Sequence, residues 1–473
     1  MTSTDAILVI GAGPAGLSAA TTLARFGLAA TLVDDNHRPG GQYFKQLPEG
    51  FTVSARAPLA RDQQRAEAYL AVLRNPLIRY RPGCTVWAMP EQGVFAVAEE
   101  QTGGRLHARH AIVAVGASDA PQPFPGWTLP GVISAGGCLN LIKGQGMAPG
   151  RRVAIVGNGP LLLVVAYALI QAGVQVRAVA EAGSPSRHVW GALGGLARLP
   201  RVLRLAAKYR GALLRAGTRF LEGHVAQQAL GDTQVRGLAL AALDADGRIN
   251  PGRPVLIDDL DAVVVGYGLT PSPELYRVIG CELHNDPELG GIVPNRSIGL
   301  ETSVPGVYAV GDGAGIGGSE IALMEGEYAA TVIAAERGCP GAAAARDRLR
   351  KKLQWVHPFR AALRAVYRLP AAIDLSTAET IVCRCEEVTR SQIESAAKSY
   401  SDVELVKVAT RFSMGRCQGR NCARSCLRLI ADVTGGKTVP APPRARTPAR
   451  PIPISALLDE PLGPAREPDQ VGL

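Results

Sequence analysis

Two kinds of residue could carry chemistry in this chain: four cysteines near its C-terminal end, and three sets of closely spaced glycines. Cys383 and Cys385 stand as C-x-C, and Cys417 and Cys422 as C-x4-C, about 30 residues further on. Four thiolates are the usual complement of a [2Fe–2S] cluster. Structural zinc is the competing occupant, but its paired ligands usually have two to four residues between them, and C-x-C is tighter than that. Empty thiols are the third reading. A disulfide framework is disfavoured, because nine cysteines in 473 residues are too sparse for one. Lys407, Arg411, Arg416 and Arg420 lie where they can offset the charge of a cluster. Cys426 follows Cys422 by one helical turn and reads either as a stray ligand or as packing. Cys84, Cys138, Cys281 and Cys339 read as small buried residues.

The glycines point to dinucleotides. Gly11-Ala12-Gly13-Pro14-Ala15-Gly16 follows the apolar run Ile7-Leu8-Val9-Ile10 and precedes an alanine-rich segment. A second apolar run ends at Asp34-Asp35. Strand, glycine turn, helix, strand and acid are the order a dinucleotide-binding unit needs. Gly11 permits the tight turn, Gly13 lets the backbone approach a pyrophosphate, and Gly16 lets the helix pack close to the strand. The helix N-terminus offers free N–H groups to phosphate, and Asp34 can accept from ribose hydroxyls. Arg38-Pro39-Gly40-Gly41-Gln42 then forms a loop along the cofactor, with Gln42 reaching the flavin side.

The opening is repeated. Val153 to Val156 leads into Gly157-Asn158-Gly159-Pro160-Leu161-Leu162, an apolar helix, a strand and Glu181. The chain is therefore expected to hold two dinucleotide folds, the second inserted in the first. Leu162 replaces the third glycine, and its bulk is expected to push the helix off the strand. Glu181 favours NAD over NADP, so NAD(P), another adenine nucleotide or an empty, degenerate site all stay open here. The strand Ala111–Val115 ends at Gly116 and leads into a proline-rich exit at 123–127. Asp261 to Gly268 mirrors it and ends the insertion. Gly311-Asp312-Gly313 then ends a strand before a helix over 319–335. Asp312 can accept from a ribityl hydroxyl, and the helix N-terminus can stabilise negative charge on a reduced flavin. The candidate cofactor residues are thus Gly11, Gly13, Pro14, Ala15, Gly16, Asp34, Asp35, Gly41, Gln42, Gly116, Gly311 and Asp312. For the second fold they are Gly157, Gly159 and Glu181.

The fold class follows as α/β, with two nested Rossmann-like domains and a small, mainly helical [2Fe–2S] domain. Residues 1–122 and 265–335 are assigned to FAD, and 123–264 to the NAD(P)-like fold. Residues 336–375 form a basic helical linker, and 376–435 the iron module, with a helix starting near Thr389. A tail covers 436–473. It has nine prolines after Val439 and no aromatics, a composition that does not build a core and favours a disordered tail, with Ile452 to Leu458 docking on a partner or on its own domain as the alternative. Residues 50–100 form a mixed, charged insertion without assignable chemistry. No run of about 18 apolar residues exists, so no transmembrane segment is expected. The first strand begins within a few residues of Met1, leaving no room for a signal segment. The expected location is the cytoplasm, or the inner membrane as a peripheral protein. The net charge of +10 is spread out and partly in the tail, so nucleic acid is not an expected partner.

Taken together, these motifs resemble a family. The chain is similar to the pyridine nucleotide-disulfide oxidoreductase class, and more closely to the FAD/NAD(P)-binding subunit of multi-subunit amine and amino-acid dehydrogenases. Opine oxidase, hydroxyproline dehydrogenase and hydrogen cyanide synthase have subunits of this type. The resemblance is carried by GAGPAG at 11, RPGGQ at 38, PFPGWTLPG at 123, GNGPLL at 157, GYGLTPSPEL at 266 and GDGAGIGG at 311. CRCEEV at 383 and TRFSMGRCQGRNC at 410 are similar to bacterioferritin-associated-ferredoxin-like [2Fe–2S] domains. It implies an electron-transfer subunit whose partners are a glycine oxidase-like catalytic flavoprotein and a small ferredoxin-like subunit. The alternatives are a free-standing NAD(P)H-dependent flavin reductase and a nucleotide-binding scaffold. No redox C-x-x-C follows the first fold, and no residue is assigned a catalytic role. His37 and Gln42 are merely the nearest polar groups to the flavin loop.

Overall fold

The structure is a computed structural model. It describes residues 6–48, 50, 58–244, 247–250, 252, 254–368, 373–400, 402–436 and 439–457, without the side chains of 58–63. The chain forms two compact units. One holds Met1–Ser118, Thr270–His357 and Ala445–Leu473, and the other Asp119–Leu269 and Pro358–Arg444. Ten strands build their two parallel sheets: β1 (Ile7–Ile10), β2 (Ala30–Asp34), β3 (Ile78–Pro82), β4 (His110–Val113), β5 (Val132–Ser134), β6 (Arg152–Gly157), β7 (Gln175–Glu181), β8 (Arg219–Glu222), β9 (Ala262–Gly266) and β10 (Val307–Ala309). The helices used below are α1 (Pro14–Arg25), α2 (Pro58–Leu70), α3 (Leu161–Gln171), α4 (Ser319–Glu336), α5 (Ala342–Val366) and α6 (Ala423–Thr434).

In the first unit the sheet runs β10-β4-β1-β2-β3. β1 is buried at every position, as a parallel strand covered on both faces must be. Its register pairs Ile7 with Ala30 on one side and with His110 on the other. α1 lies tight on its own turn, because a Cβ on Gly16 would stand 1.8 Å from the Gly11 carbonyl oxygen. α4 crosses α1 as closely, with Gly326 leaving room for the Ala15 carbonyl. Residues 84–107, which carry no assignable chemistry, form a three-stranded antiparallel sheet.

The sheet of the second unit runs β8-β7-β6-β9-β5. From β6 onward its strands repeat the order of the first sheet, β8-β7-β6-β9, while the earlier strand β5 adds at the edge beside β9, so the switch point of each sheet lies beside the strand that leads into its glycine turn. Leu162 corrects the expectation of a displaced helix. It is fully buried, and its Cδ2 fills the space that a Cβ on Gly266 would occupy. α3 begins two residues after Gly159, whereas α1 begins directly after Gly13. The late start and the glycine on β9 together absorb the leucine.

The second unit also holds the cysteine module. Its core is Val382, Val388, Ile393, Val406, Phe412, Leu429 and Ile430 together with Cys383, Cys422 and Cys426. The last three of these apolar and thiol positions, Cys426, Leu429 and Ile430, lie on α6. The helix expected near Thr389 spans Arg390–Ser399 and starts with a capping box between Thr389 and Gln392. Within this unit, Trp127 donates its indole N–H to the Ile381 carbonyl at 2.7 Å, and so ties the proline-rich exit to the strand that carries Cys383.

The described part of the tail departs from the expectation of an unpacked chain. Ala449 N–H donates to the Trp87 carbonyl at 2.9 Å, and Ala456 lies against Gly103, where a Cβ would collide with its carbonyl. A main-chain hydrogen bond to the antiparallel sheet and the burial of Ala449 and Ala456 hold this segment. Residues 458–473 lie outside the described set. Among the described residues no helix is long and apolar enough to cross a membrane.

Candidate functional site

The turn after β1 is built as a phosphate cradle. Gly11 has φ +103°, and a Cβ there would sit 2.4 Å from the Ala114 carbonyl oxygen. Gly13 is the last residue before α1, whose N-terminus is capped by no side chain. Pro14 opens that helix and lacks an N–H, while the N–H groups of Ala15 and Gly16 belong to its first turn. The 38–42 loop closes over this turn. Gly40 N–H donates to the Ala12 carbonyl at 2.8 Å, and a Cβ on Gly41 would lie 2.9 Å from the Gly13 Cα. Gln42 is exposed.

Asp34 and Asp35 divide their work. Asp34 is buried and accepts from the Ala12 N–H at 2.6 Å and the Asn36 N–H at 2.7 Å. Burial raises its pKa, the neighbouring Asp35 raises it further, and these hydrogen bonds oppose the rise. Asp35 points outward and ion-pairs with Arg450 of the tail.

The far end of the first unit brings Gly116 and the 311–313 turn together, since a Cβ on Gly313 would stand 3.0 Å from the Gly116 backbone. Among the described residues nothing fills the space where Cβ atoms on Gly116 or Gly318 would point. Asp312 Oδ1 accepts from the Gly317 and Gly318 N–H groups at 2.8 and 2.9 Å, just before α4.

Sequence reasoning missed the groups that brace this turn. Glu325 is 3% exposed on α4, accepts from the Gly311 N–H at 2.8 Å and pairs with Arg296 at 3.2 Å. Arg65 on α2 binds both carboxylate oxygens of Glu320 in the first turn of α4. The available signal was a pair of glutamates, Glu325 and Glu327, inside the largely apolar run Ile321 to Ala335. His37 lies against Gly83 at the β3 end.

The second glycine turn is closed at its acid end. Glu181 is 1% exposed and accepts from the Gly159 N–H at 3.0 Å and the Gly183 N–H at 3.4 Å. Burial pushes its pKa up to about 8 against the pull of those two donors. Gly157 has φ +157°, and no described residue stands within 4 Å of where a Cβ on Gly159 would point.

The four predicted thiols converge. The Cys422 thiol lies against Cys383 and Cys417, and against Cys426 as well, while Cys385 lies against Cys417. This mutual approach raises the pKa of Cys422 and lowers those of Cys383 and Cys417. Backbone N–H groups also point at sulfur: Ser413 and Glu386 at Cys383, Asn421 and Gly419 at Cys417, and Cys417 at Cys385. A Cβ on Gly415 would lie 2.4 Å from that of Cys385, so only glycine lets the two loops approach this closely. Cys383 and Cys422 are buried and Cys385 is exposed.

Among the described residues no three His, Cys, Asp or Glu side chains surround a single ion. A [2Fe–2S] cluster needs no such set, because two cysteines on each of two irons complete its shell. The donors and their N–H neighbours fit that group. Cys426 is fully buried in the module core and lies against Cys422.

Comparison with known proteins agrees. Residues 5–338 match the family described as Pyridine nucleotide-disulphide oxidoreductase. Residues 381–432 match the BFD-like [2Fe-2S] binding domain. The chain is 33% identical to an opine oxidase subunit of Rhizobium meliloti over 96% of its own length and 98% of that protein. It is 32% identical to hydrogen cyanide synthase subunit HcnB of Pseudomonas aeruginosa over 95% of its own length and 97% of that protein. Among solved structures, L-proline dehydrogenase from P. horikoshii shares the fold, with a TM-score of 0.66 at 18% identity, over 96% of this chain and 80% of that one. This chain is a member of the pyridine nucleotide-disulphide oxidoreductase family, an FAD-dependent oxidoreductase that also carries a BFD-like [2Fe–2S] domain.

Proposed function

We propose that this chain is the electron-transfer subunit of a heteromeric dehydrogenase that oxidises a C–N bond in an amino acid, opine or related amine. One observation carries the reading: a flavin-type fold without a redox dithiol shares a chain with a convergent set of four thiols. The cysteines outside the module are Cys84, Cys138, Cys281 and Cys339, none spaced as C-x-x-C. Disulfide reduction therefore lacks its nucleophile here. The relatives' names point the same way, since both are subunits, one of an opine oxidase and one of a hydrogen cyanide synthase.

In this reading Gly11, Gly13, Pro14, Ala15, Gly16 and Gly41 cradle the FAD pyrophosphate. Asp35 and the edge of Asp34 meet its ribose. Gln42, Gly116, Gly311 and Asp312 line the ring end. FAD supplies the conversion between two-electron oxidation and one-electron transfer. The residues of the chain orient and polarise. The α4 N-terminus places its positive end beside the ring, and Glu325 with Arg296 fixes the Gly311 turn. Cys383, Cys385, Cys417 and Cys422 hold the cluster, and the N–H groups aimed at their sulfurs offset its negative charge.

Amine oxidation itself belongs to a partner, a glycine oxidase-like flavoprotein, accompanied by a small ferredoxin-like subunit. The test is native purification of the tagged full chain. A second flavoprotein should co-purify, and dye-linked amine oxidation should require both. An isolated chain that oxidises amines at the full rate overturns the reading.

A further inference from the structure

The second dinucleotide fold keeps its glycine turn, yet a segment of the same chain lies on its acid end. Asn158 is the buried residue between the two glycines. Its Nδ2 donates to the Tyr367 carbonyl at 2.8 Å, and its Oδ1 accepts the Gly183 N–H at 3.1 Å. A Cβ on Gly183 would stand 3.4 Å from the Arg368 carbonyl oxygen and 3.6 Å from the Tyr367 carbonyl carbon. Gly183 lies two residues beyond Glu181. The backbone of Tyr367 and Arg368 therefore covers the turn where a nucleotide ribose meets the strand-end acid.

The side chain of Tyr367 is half-buried, and Glu181, Arg210 and Glu222 all lie close enough to act electrostatically on its hydroxyl. Glu181 ends β7, and Glu222 ends β8. The crevice beyond the carboxyl ends of these neighbouring strands is where an open α/β sheet takes the adenosine half of its ligand. Here the backbone of Tyr367 and Arg368 lies at that end of the turn.

The segment is fastened on both sides. Before it, Ala362 on α5 sits so close to Gly195 that a Cβ there would be 2.4 Å away. After it, Gln122 Nε2 donates to the Ile373 carbonyl at 3.0 Å, and Leu375 is buried in the core of the unit. At the phosphate end of the turn, no described residue stands within 4 Å of where a Cβ on Gly159 would point.

We propose that Tyr367 is the resident occupant of the adenosine seat in the second fold, so that this fold does not accept NAD(P)H. The family's nicotinamide site is thus sealed by its own linker, and reducing equivalents enter this chain by another route. This goes beyond the proposed function, and a chain that bound NADH would leave the partner-dependent transfer standing.

The test uses the full chain with FAD in place, which keeps the first fold filled. ADP-ribose is the probe, measured by calorimetry. The wild type is expected to show no binding up to about 1 mM, the upper end of ordinary cofactor affinities. Tyr367→Gly empties the seat and should bind ADP-ribose at least about tenfold more tightly, as expected when the competent state becomes the major one. Stoichiometric binding to the wild type, or a Tyr367→Gly chain that folds and binds no better, overturns the proposal. Should that variant fail to fold, hydrogen exchange on the wild type decides. Peptides within 358–368 should stay equally protected with and without ADP-ribose at about 1 mM, the same ceiling, and deprotection by the nucleotide overturns the proposal.

Discussion

The Glu325 carboxylate on α4 accepts the Gly311 N–H at 2.8 Å and is itself paired with Arg296. Arg296 also donates to the Ala309 carbonyl at 3.0 Å. One buried ion pair thus fixes the turn that follows β10. Removing one partner of a buried pair strands the other charge. Glu325→Ala should therefore cost roughly 3 kcal/mol of stability. Chemical unfolding checks this, and the variant should also lose FAD on gel filtration. Unchanged stability would mean the pair is solvated.

Gly41 has φ +57°, and its α-carbon faces that of Gly13. Gly41→Ala places a methyl group in the gap that the pyrophosphate backbone approach needs. The expected result is a protein without flavin colour and with its cluster absorbance intact. Retention of FAD at wild-type stoichiometry would remove the 38–42 loop from the cofactor site.

The cysteine module separates ligands from packing. Cys417→Ser should abolish the cluster and leave FAD bound, read from the visible and low-temperature magnetic spectra together with iron content. Cys426→Ser should keep the cluster, because Cys426 is buried in the module core against Cys422. Loss of iron in both variants would make Cys426 a ligand.

Glu181 predicts a pH slope. Burial raises its pKa from the usual 4.5 to about 8 in the folded chain. Between these values the folded state holds a proton that the unfolded state has released, so stability falls as pH rises from about 4.5 to 8. Glu181→Gln removes that titration. Its melting temperature relative to wild type should rise more at about pH 8 than at about pH 5, the two ends of that window. An equal difference at both pH values would show that Glu181 titrates normally.

Much of this was legible in the residues, for physical reasons. Glycines are forced where backbone meets backbone, so Gly11, Gly16 and the second turn announced both folds. The spacing of Cys383, Cys385, Cys417 and Cys422 announced a site that the structure brings together. Leu162 misled, because its tolerance depends on Gly266, more than a hundred residues away. Glu325 was hidden, since a buried acid on an apolar helix shows its use only beside Arg296 and Gly311. Tyr367 was invisible for the same reason: a tyrosine after a basic helix carries no mark of the seat it fills.

The central claim is that electrons taken up at the flavin of this chain pass to its cluster. The most direct measurement is low-temperature electron paramagnetic resonance of the complete, natively purified complex, frozen after anaerobic addition of its amine substrate. The signal of a reduced [2Fe–2S] cluster should appear, and Cys417→Ser should abolish it while the flavin still bleaches. A wild-type complex whose flavin bleaches fully while the cluster stays oxidised would contradict the claim.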